Sequence, residues 1–330
     1  MENRRILILK DGESRIESCE YPVRRKGEAI VKVKACGICG SDIPRIFQNR
    51  AYYYPIVLGH EFSGVIVDSE NPELNGTRAG VFPVLPCGEC EFCKRGFYAN
   101  CLHYDYYGSR RNGGMQEYIA IKEENLVKLP ENVSFEAGAM LEPVSVCLHA
   151  VKKAKIQAGE NFVVYGAGTI GLLCASWTKR FGANAVYVVD VDEKKLEFAA
   201  KLGFNAYRGE RVQAAFECSG AGACVNQAIE CVDAFGRIVL VGNASENVTI
   251  PSCNHAKILR KQLTVYGSWN SDFSTESDNW KDSVKAIANG EIRPELLITH
   301  KFAFSEWPKA INAIKSKTFY NKIMMVPDNE

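Results

Sequence analysis

Hydrophobic and polar positions change rhythm twice along this chain. Over residues 1–150 the apolar runs are short, as in "AIVKVKA" (29–35) and "FSGVIVD" (62–68), and Gly, Pro and polar turns separate them. Brief β-branched runs bounded by turns predict a β-rich region. From 151 to 268, continuous apolar runs ("NFVVYGAG", "AVYVVD", "AAFECSG", "RIVLVG", "LTVYGS") alternate with helix-like stretches near 169–181, 193–202 and 221–232. Strands without internal alternation, spaced by helices, predict a parallel sheet covered on both faces. After 269 the pattern turns irregular again, with helices expected in "DSVKAIANG" and "SEWPKAINAIKS". The expected plan is an α/β protein. A β-rich domain over 1–150 is followed by an inserted doubly wound domain over 151–268, and 269–330 returns to the first domain. One irregularity stands in the second region. Only "ERVQ" separates "KLGFNAYRG" from "AAFECSG", so the helix expected there is absent or reduced to a turn.

Composition narrows the function classes. The chain has 330 residues, 46% hydrophobic and 24% charged, with 40 basic against 39 acidic residues. A net charge of +1 carries no electrostatic footprint of a nucleic-acid binder. The opening "MENRRILILKDGES" has an apolar run of only four residues, too short for a signal peptide. No uncharged stretch approaches the ~18 residues of a membrane span. A cytoplasmic protein with a small-molecule partner is expected, with neither nucleic acid nor membrane. Its 13 cysteines are odd in number, so they cannot all pair within the chain. In a reducing compartment, clustered cysteines read as metal ligands or catalytic groups.

"VVYGAGTIG" supplies Gly166, Gly168 and Gly171 in G-x-G-x-x-G order, with Thr169 and Ile170 between the last two. A preceding apolar strand and a following amphipathic helix give this pattern the context of a dinucleotide site. The diphosphate would sit at the helix N-terminus. The next strand ends in Asp190, nineteen residues after Gly171. A carboxylate there accepts from a ribose diol and repels a 2′-phosphate, which favours NAD. Lys194 and Lys195 nearby leave NADP as the alternative.

Two cysteine groupings differ in kind. "PCGECEFCKRGFYANC" places Cys87, Cys90, Cys93 and Cys101 at C-x2-C-x2-C-x7-C. Four thiolates on a turn-rich lobe (84–103) suit a closed, structural zinc site. An iron–sulfur cluster lacks its usual spacing, and the neutral net charge disfavours a nucleic-acid module. In "ACGICGSD", by contrast, Cys36 and Cys39 could form a redox pair, half a zinc site, or two buried thiols. "LGHEFSG" adds His60 and Glu61, and "LEPVSVCLH" adds Glu142 at the start of a helix. Cys, His and Glu together suit a zinc with three protein ligands and an exchangeable position. Against this, Glu142 at a helix N-terminus is also what the helix dipole favours.

These motifs, with "ITHKFAFSEWPKA", occur in the order seen in the zinc-dependent medium-chain dehydrogenase/reductase family, which the sequence resembles along nearly its whole length. The resemblance implies a GroES-like catalytic domain and a Rossmann NAD-binding domain. It implies two zincs per chain and a homodimer or homotetramer. Cys39, His60 and Glu142 match ligands of the catalytic zinc, and Glu61 matches a glutamate that ligates it directly or through water. Asp42 matches the carboxylate that orients the histidine, and Ser41 the hydroxyl that relays the substrate proton. Cys36 matches no ligand. "GSDIPRIF", "YYYPIVLGHEFSG", "YDYYGSRRNGG" and "KILRKQLTVYGSW" resemble polyol dehydrogenases, and among them those acting on a sugar-alcohol phosphate. Arg45, Arg110 and Arg111 are then candidate phosphate contacts, because guanidinium suits bidentate phosphate binding. Trp269 is a candidate lining residue of the substrate pocket. Dehydrogenases of free polyols or threonine, and a zinc-binding scaffold without catalysis, are the alternatives.

Overall fold

The computed structural model describes residues 2–244, 246–274, 277–316 and 318–328. The chain divides into two compact units, Met1–Glu142 with Asp272–Glu330, and Pro143–Ser271.

The first unit is built on a mixed seven-stranded sheet. Its path runs Ile298–Ala303, Lys322–Val326, Glu28–Ile38, Glu61–Ser69, Arg78–Val81 and Leu126–Lys128, and Tyr118–Lys122 also pairs with Glu28–Ile38. Both apolar runs read from the sequence lie in its two most extensively paired strands. Ile30, Val31, Val33 and Ala35 are buried while Lys32 and Lys34 keep partial exposure, the polar–apolar pattern of a strand with one face on a core. That core gathers Ile6, Ile8, Val31, Val33, Phe62, Ile66, Met115, Trp307 and Met325.

Register at one end of this sheet decides where the chemistry sits. Gly37 stands opposite Glu61 in the antiparallel pair, and Ile38 and Gly37 stand opposite Ile323 and Met324. The residues just past or at these strand ends are therefore Cys39, His60, Glu61 and Lys322. Three distant segments converge because the ladder fixes them level with one another. A second, two-stranded ladder, Val84–Leu85 with Asp105–Tyr106, frames the cysteine lobe.

The second unit is a six-stranded parallel sheet in the order Asn205–Ala206, Ala185–Val189, Asn161–Tyr165, Val212–Glu217, Val232–Leu240 and Thr264–Gly267. Helices Thr169–Arg180, Glu193–Lys201 and Gly222–Cys231 join the strands where helical stretches are read. Ser252–Lys261 is a further helix that the apolar pattern does not announce. Among its residues only Asn254 is buried, and Ile258 packs against the core from a partly buried position. The "ERVQ" irregularity resolves as a bare connection with no helix. From Ala206 to Val212 the chain passes two intervening strands, a lateral span of roughly 14 Å. Six residue steps reach about 20 Å when extended, which leaves no slack for helical turns. Among the described residues no helix is long and apolar enough to cross a membrane.

Candidate functional site

The sheet end in the first unit brings Cys39, His60 and Glu61 together, with ligand atoms all within 4.8 Å of one another. His60 and Glu61 are buried, and Cys39 is half-buried. Asp42, fully buried at the start of the helix Asp42–Phe47, ties the group together. Its Oδ2 accepts from the Cys39 backbone N–H at 3.1 Å, and its Oδ1 lies 3.7 Å from His60 Nδ1. His60 Nδ1 is buried with no hydrogen-bond partner, so the Asp42 carboxylate is what faces it. Ser41 Oγ donates to Cys39 Sγ at 3.3 Å and accepts from Arg45 Nη1 at 3.0 Å.

Cys39, Asp42 and Glu142 set negative charge around His60. Burial works against the charge of His60, yet Cys39 and Asp42 beside it carry its pKa up to about 10. Burial raises Asp42 as well, partly offset by His60 and Arg45. Glu142 does not join the close group of three. It is buried in the first turn of the helix Leu141–Lys153, and its carboxylate accepts from Tyr106 Oη at 3.1 Å. Burial pushes it up to about 7, and His60 pulls it back down. A thiolate, an imidazole and a carboxylate within reach of one ion, with a second carboxylate nearby, form a donor set that fits zinc.

Two residues here escape sequence reasoning. Lys322, 3% exposed, donates to both oxygens of Glu61 (2.8 and 2.6 Å) and to the Ile38 carbonyl (3.2 Å). Burial disfavours its charge, but Glu61 outweighs that and raises its pKa. Gly37 is the floor of this pair, since a Cβ there would stand 2.3 Å from Glu61 Oε2. Tyr106 is the other. Its ring meets that of His60 edge-on at 5.7 Å, and burial holds its phenol well above the ordinary value, so it stays a donor to Glu142. No sequence signal marks Lys322. Tyr106 stands inside "YDYYGSRRNGG", where only its neighbours carry charge. Cys36 is fully buried in Glu28–Ile38 and outside the ligating group.

The cysteine lobe gathers Cys87, Cys90, Cys93 and Cys101. Their sulfurs stand 3.5 Å (Cys90 to Cys93), 3.8 Å (Cys87 to Cys93) and 4.0 Å (Cys90 to Cys101) apart. Sulfurs held tetrahedrally 2.3 Å from a zinc ion are separated by about 3.8 Å, whereas disulfide sulfurs sit at about 2.05 Å. The spacing fits the ion and not a bridge. Backbone N–H groups of Leu102 and Cys93 lower Cys90 to about 6, whereas burial pushes Cys93 up to about 12.

In the second unit, Gly166 has φ +100° at the end of the central strand, a conformation L side chains rarely adopt. A Cβ on Gly171 would fall 1.7 Å from the Gly166 carbonyl oxygen, while one on Gly168 would meet nothing within 4 Å. The turn is tight beneath and open above, as close approach of a diphosphate requires. Thr169 and Ile170 open the helix, whose N-terminus carries no side-chain cap. Asp190 Oδ2 accepts from Ala167 N–H at 2.8 Å and its Oδ1 from Asp192 N–H at 3.0 Å, which holds the carboxylate beside the glycine turn. Lys195 lies 4.0 Å from it. Trp269 is 53% exposed.

Residues 25–131 match the alcohol dehydrogenase GroES-like domain, and 169–289 the zinc-binding dehydrogenase domain. The chain is 35% identical to galactitol 1-phosphate 5-dehydrogenase of Escherichia coli (strain K12), covering 96% of this chain and 98% of that protein. It is 32% identical to sorbitol dehydrogenase 2 of Saccharomyces cerevisiae, covering 93% of each. The crystal structure of galactitol-1-phosphate dehydrogenase from Escherichia coli superposes with a TM-score of 0.91 at 34% identity, over 98% of this chain and 100% of that one.

Proposed function

This chain belongs to the zinc-dependent medium-chain dehydrogenase/reductase family, and on that premise we propose that it oxidises a secondary alcohol of a sugar-alcohol phosphate to a ketose phosphate. The specific reaction is galactitol 1-phosphate to tagatose 6-phosphate, with NAD reduced to NADH and one proton released. The observation that carries the reading is the Cys39, His60 and Glu61 cluster with the Ser41 hydroxyl against it. The similarity to a relative named for galactitol 1-phosphate, over nearly the whole of both chains, supports the substrate.

Cys39 and His60 would hold a catalytic zinc with Glu61 or Glu142, and Cys87, Cys90, Cys93 and Cys101 a structural one. Bound at the first site, zinc supplies Lewis acidity that lowers the pKa of a coordinated hydroxyl, and NAD bound at the glycine turn accepts hydride. The chain's own residues do the rest. Asp42 holds the Cys39 backbone and faces His60 Nδ1, so one carboxylate positions two ligands. Ser41 takes the substrate proton and passes it outward, its hydroxyl oriented by Arg45 and Cys39. Lys322 donates to both carboxylate oxygens of Glu61 and holds that side chain beside the cluster. Asp190, held beside the glycine turn, accepts the ribose diol of NAD.

The test is kcat/KM for galactitol 1-phosphate, galactitol, sorbitol, xylitol and threonine, with NAD and with NADP, followed by reduced-nicotinamide absorbance. A preference for the phosphorylated polyol with NAD supports the reading. Sorbitol or xylitol turned over best would favour the free-polyol alternative that the sorbitol dehydrogenase relative suggests. No turnover of any substrate by the zinc-loaded protein would favour a scaffold.

A further inference from the structure

The three arginines expected to bear on a phosphate have different fates in the fold. Arg45 Nη1 donates to the Ser41 carbonyl (2.8 Å), to Ser41 Oγ (3.0 Å) and to Asp42 Oδ1 (3.3 Å), so a buried carboxylate meets its charge. Arg111 Nε donates to Asp105 Oδ2 at 2.6 Å, which neutralises it in the same way. Arg110 pairs with no carboxylate among the described residues. Its Nη1 donates to the Tyr104 carbonyl (3.2 Å) and its Nη2 to Tyr52 Oη (3.3 Å). Its Cζ sits 4.6 Å from the Tyr52 ring centroid and 4.3 Å from that of Tyr104.

Two aromatic faces fix the plane of this guanidinium, and two neutral oxygens fix its rotation. They occupy only part of its five-donor fork, and they leave its charge uncancelled. The position is as informative as the charge. Tyr104 and Tyr106 stand two residues apart at the short strand Asp105–Tyr106, and side chains at that spacing share one side of a strand. Tyr106 reaches Glu142 and His60. Tyr104 follows at 6.3 Å between ring centroids, with Arg110 stacked on it. A chain of ring contacts thus runs His60, Tyr106, Tyr104, Arg110.

We propose that Arg110, held between Tyr52 and Tyr104, is the anion receptor of this site and binds the phosphomonoester of the substrate while its hydroxyl lies at the Cys39–His60 cluster. This rests on the polyol-phosphate reading above. Arg111, one residue away on the same turn and already neutralised by Asp105, serves as the internal control. The readout is the ratio of kcat/KM for galactitol 1-phosphate to that for galactitol, with a six-carbon aldonate as a second anion. Wild type should favour the phosphate ester over both. Arg110→Ala should lower the ratio about 10- to 100-fold, chiefly through KM for the ester. Arg110→Lys should recover part of it, and Arg111→Ala should keep it within about twofold. Zinc content and Tm of each variant report on folding, and Arg110→Lys keeps the test alive if Arg110→Ala does not fold. A wild-type enzyme without phosphate preference defeats the polyol-phosphate reading itself. An undiminished ratio in Arg110→Ala, or equal losses on both polyols, defeats the Arg110 assignment alone. Preference for the aldonate identifies a carboxylate as the anion and overturns the phosphate.

Discussion

The cysteine lobe and the Cys39–His60–Glu61 cluster lie in the same unit and are assembled in opposite ways. Every sulfur of the lobe comes from one short segment, and the N–H donors that lower Cys87 and Cys90 come from that segment too. The mixed cluster draws Cys39 from the end of one strand and His60 and Glu61 from the start of its neighbour. Lys322, which neutralises Glu61, arrives from near the far end of the chain. A set of four thiolates closes around an ion and leaves no vacancy for chemistry. A mixed set with a carboxylate that can trade partners leaves one. Under the proposed assignment, the difference teaches that an inert site can be local, whereas a reactive one depends on long-range placement of compensating charge.

That contrast can be broken at several points. The largest effect is expected from Cys39→Ser, which removes a proposed catalytic ligand and should lower kcat/KM on the order of a thousandfold or more. Cys93→Ser in the lobe should instead loosen 84–103, seen as faster proteolysis there, with residual activity in whatever fraction stays folded. Equal collapse of activity without any change in proteolysis would put the lobe in the chemistry. Lys322→Met comes next. It leaves Glu61 buried and unpaired, a loss of about 3–5 kcal/mol by denaturant unfolding. Adding Glu61→Gln should restore part of that stability, and no recovery would mean that Lys322 serves packing rather than charge.

What can be read from the sequence follows the same line. The lobe is legible because its spacing is its geometry, and the glycine turn because strand, turn and helix are contiguous. Cys39, His60 and Glu61 are legible as types, since "ACGICGSD" and "LGHEFSG" each carry them within a few residues. Nothing in "NKIMMV" marks Lys322. Its partner is 261 residues away, and the pairing of Lys322–Val326 and of Glu61–Ser69 with opposite edges of Glu28–Ile38 brings them together. "GSRRNGG" likewise offers two equivalent arginines; it takes the folded positions of Asp105, Tyr52 and Tyr104 to tell a neutralised cation from an available one. The missing helix after Ala206 shows in the shortness of "ERVQ", although the choice between an absent helix and a turn needs the strand order.

Smaller effects sharpen the reactive site. Ser41→Ala should reduce kcat by about a hundredfold, the usual scale for a lost proton-transfer group, with metal content unchanged. A fall in zinc content alongside would make Ser41 a support for Cys39 Sγ rather than a relay. Cys36→Ser should cost about 1–3 kcal/mol, because it places a hydroxyl in a fully buried apolar position. It should retain both metal and activity, unlike its neighbour three residues on.

Zinc counting tests the two-site assignment most directly. Wild type, Cys39→Ser and Cys93→Ser, each purified folded, would be measured by atomic emission against protein concentration. About two zincs per chain in wild type and about one in each variant are expected, with the ion kept by Cys39→Ser inert and the ion kept by Cys93→Ser supporting turnover. One zinc in wild type, or two retained in Cys39→Ser, would contradict it.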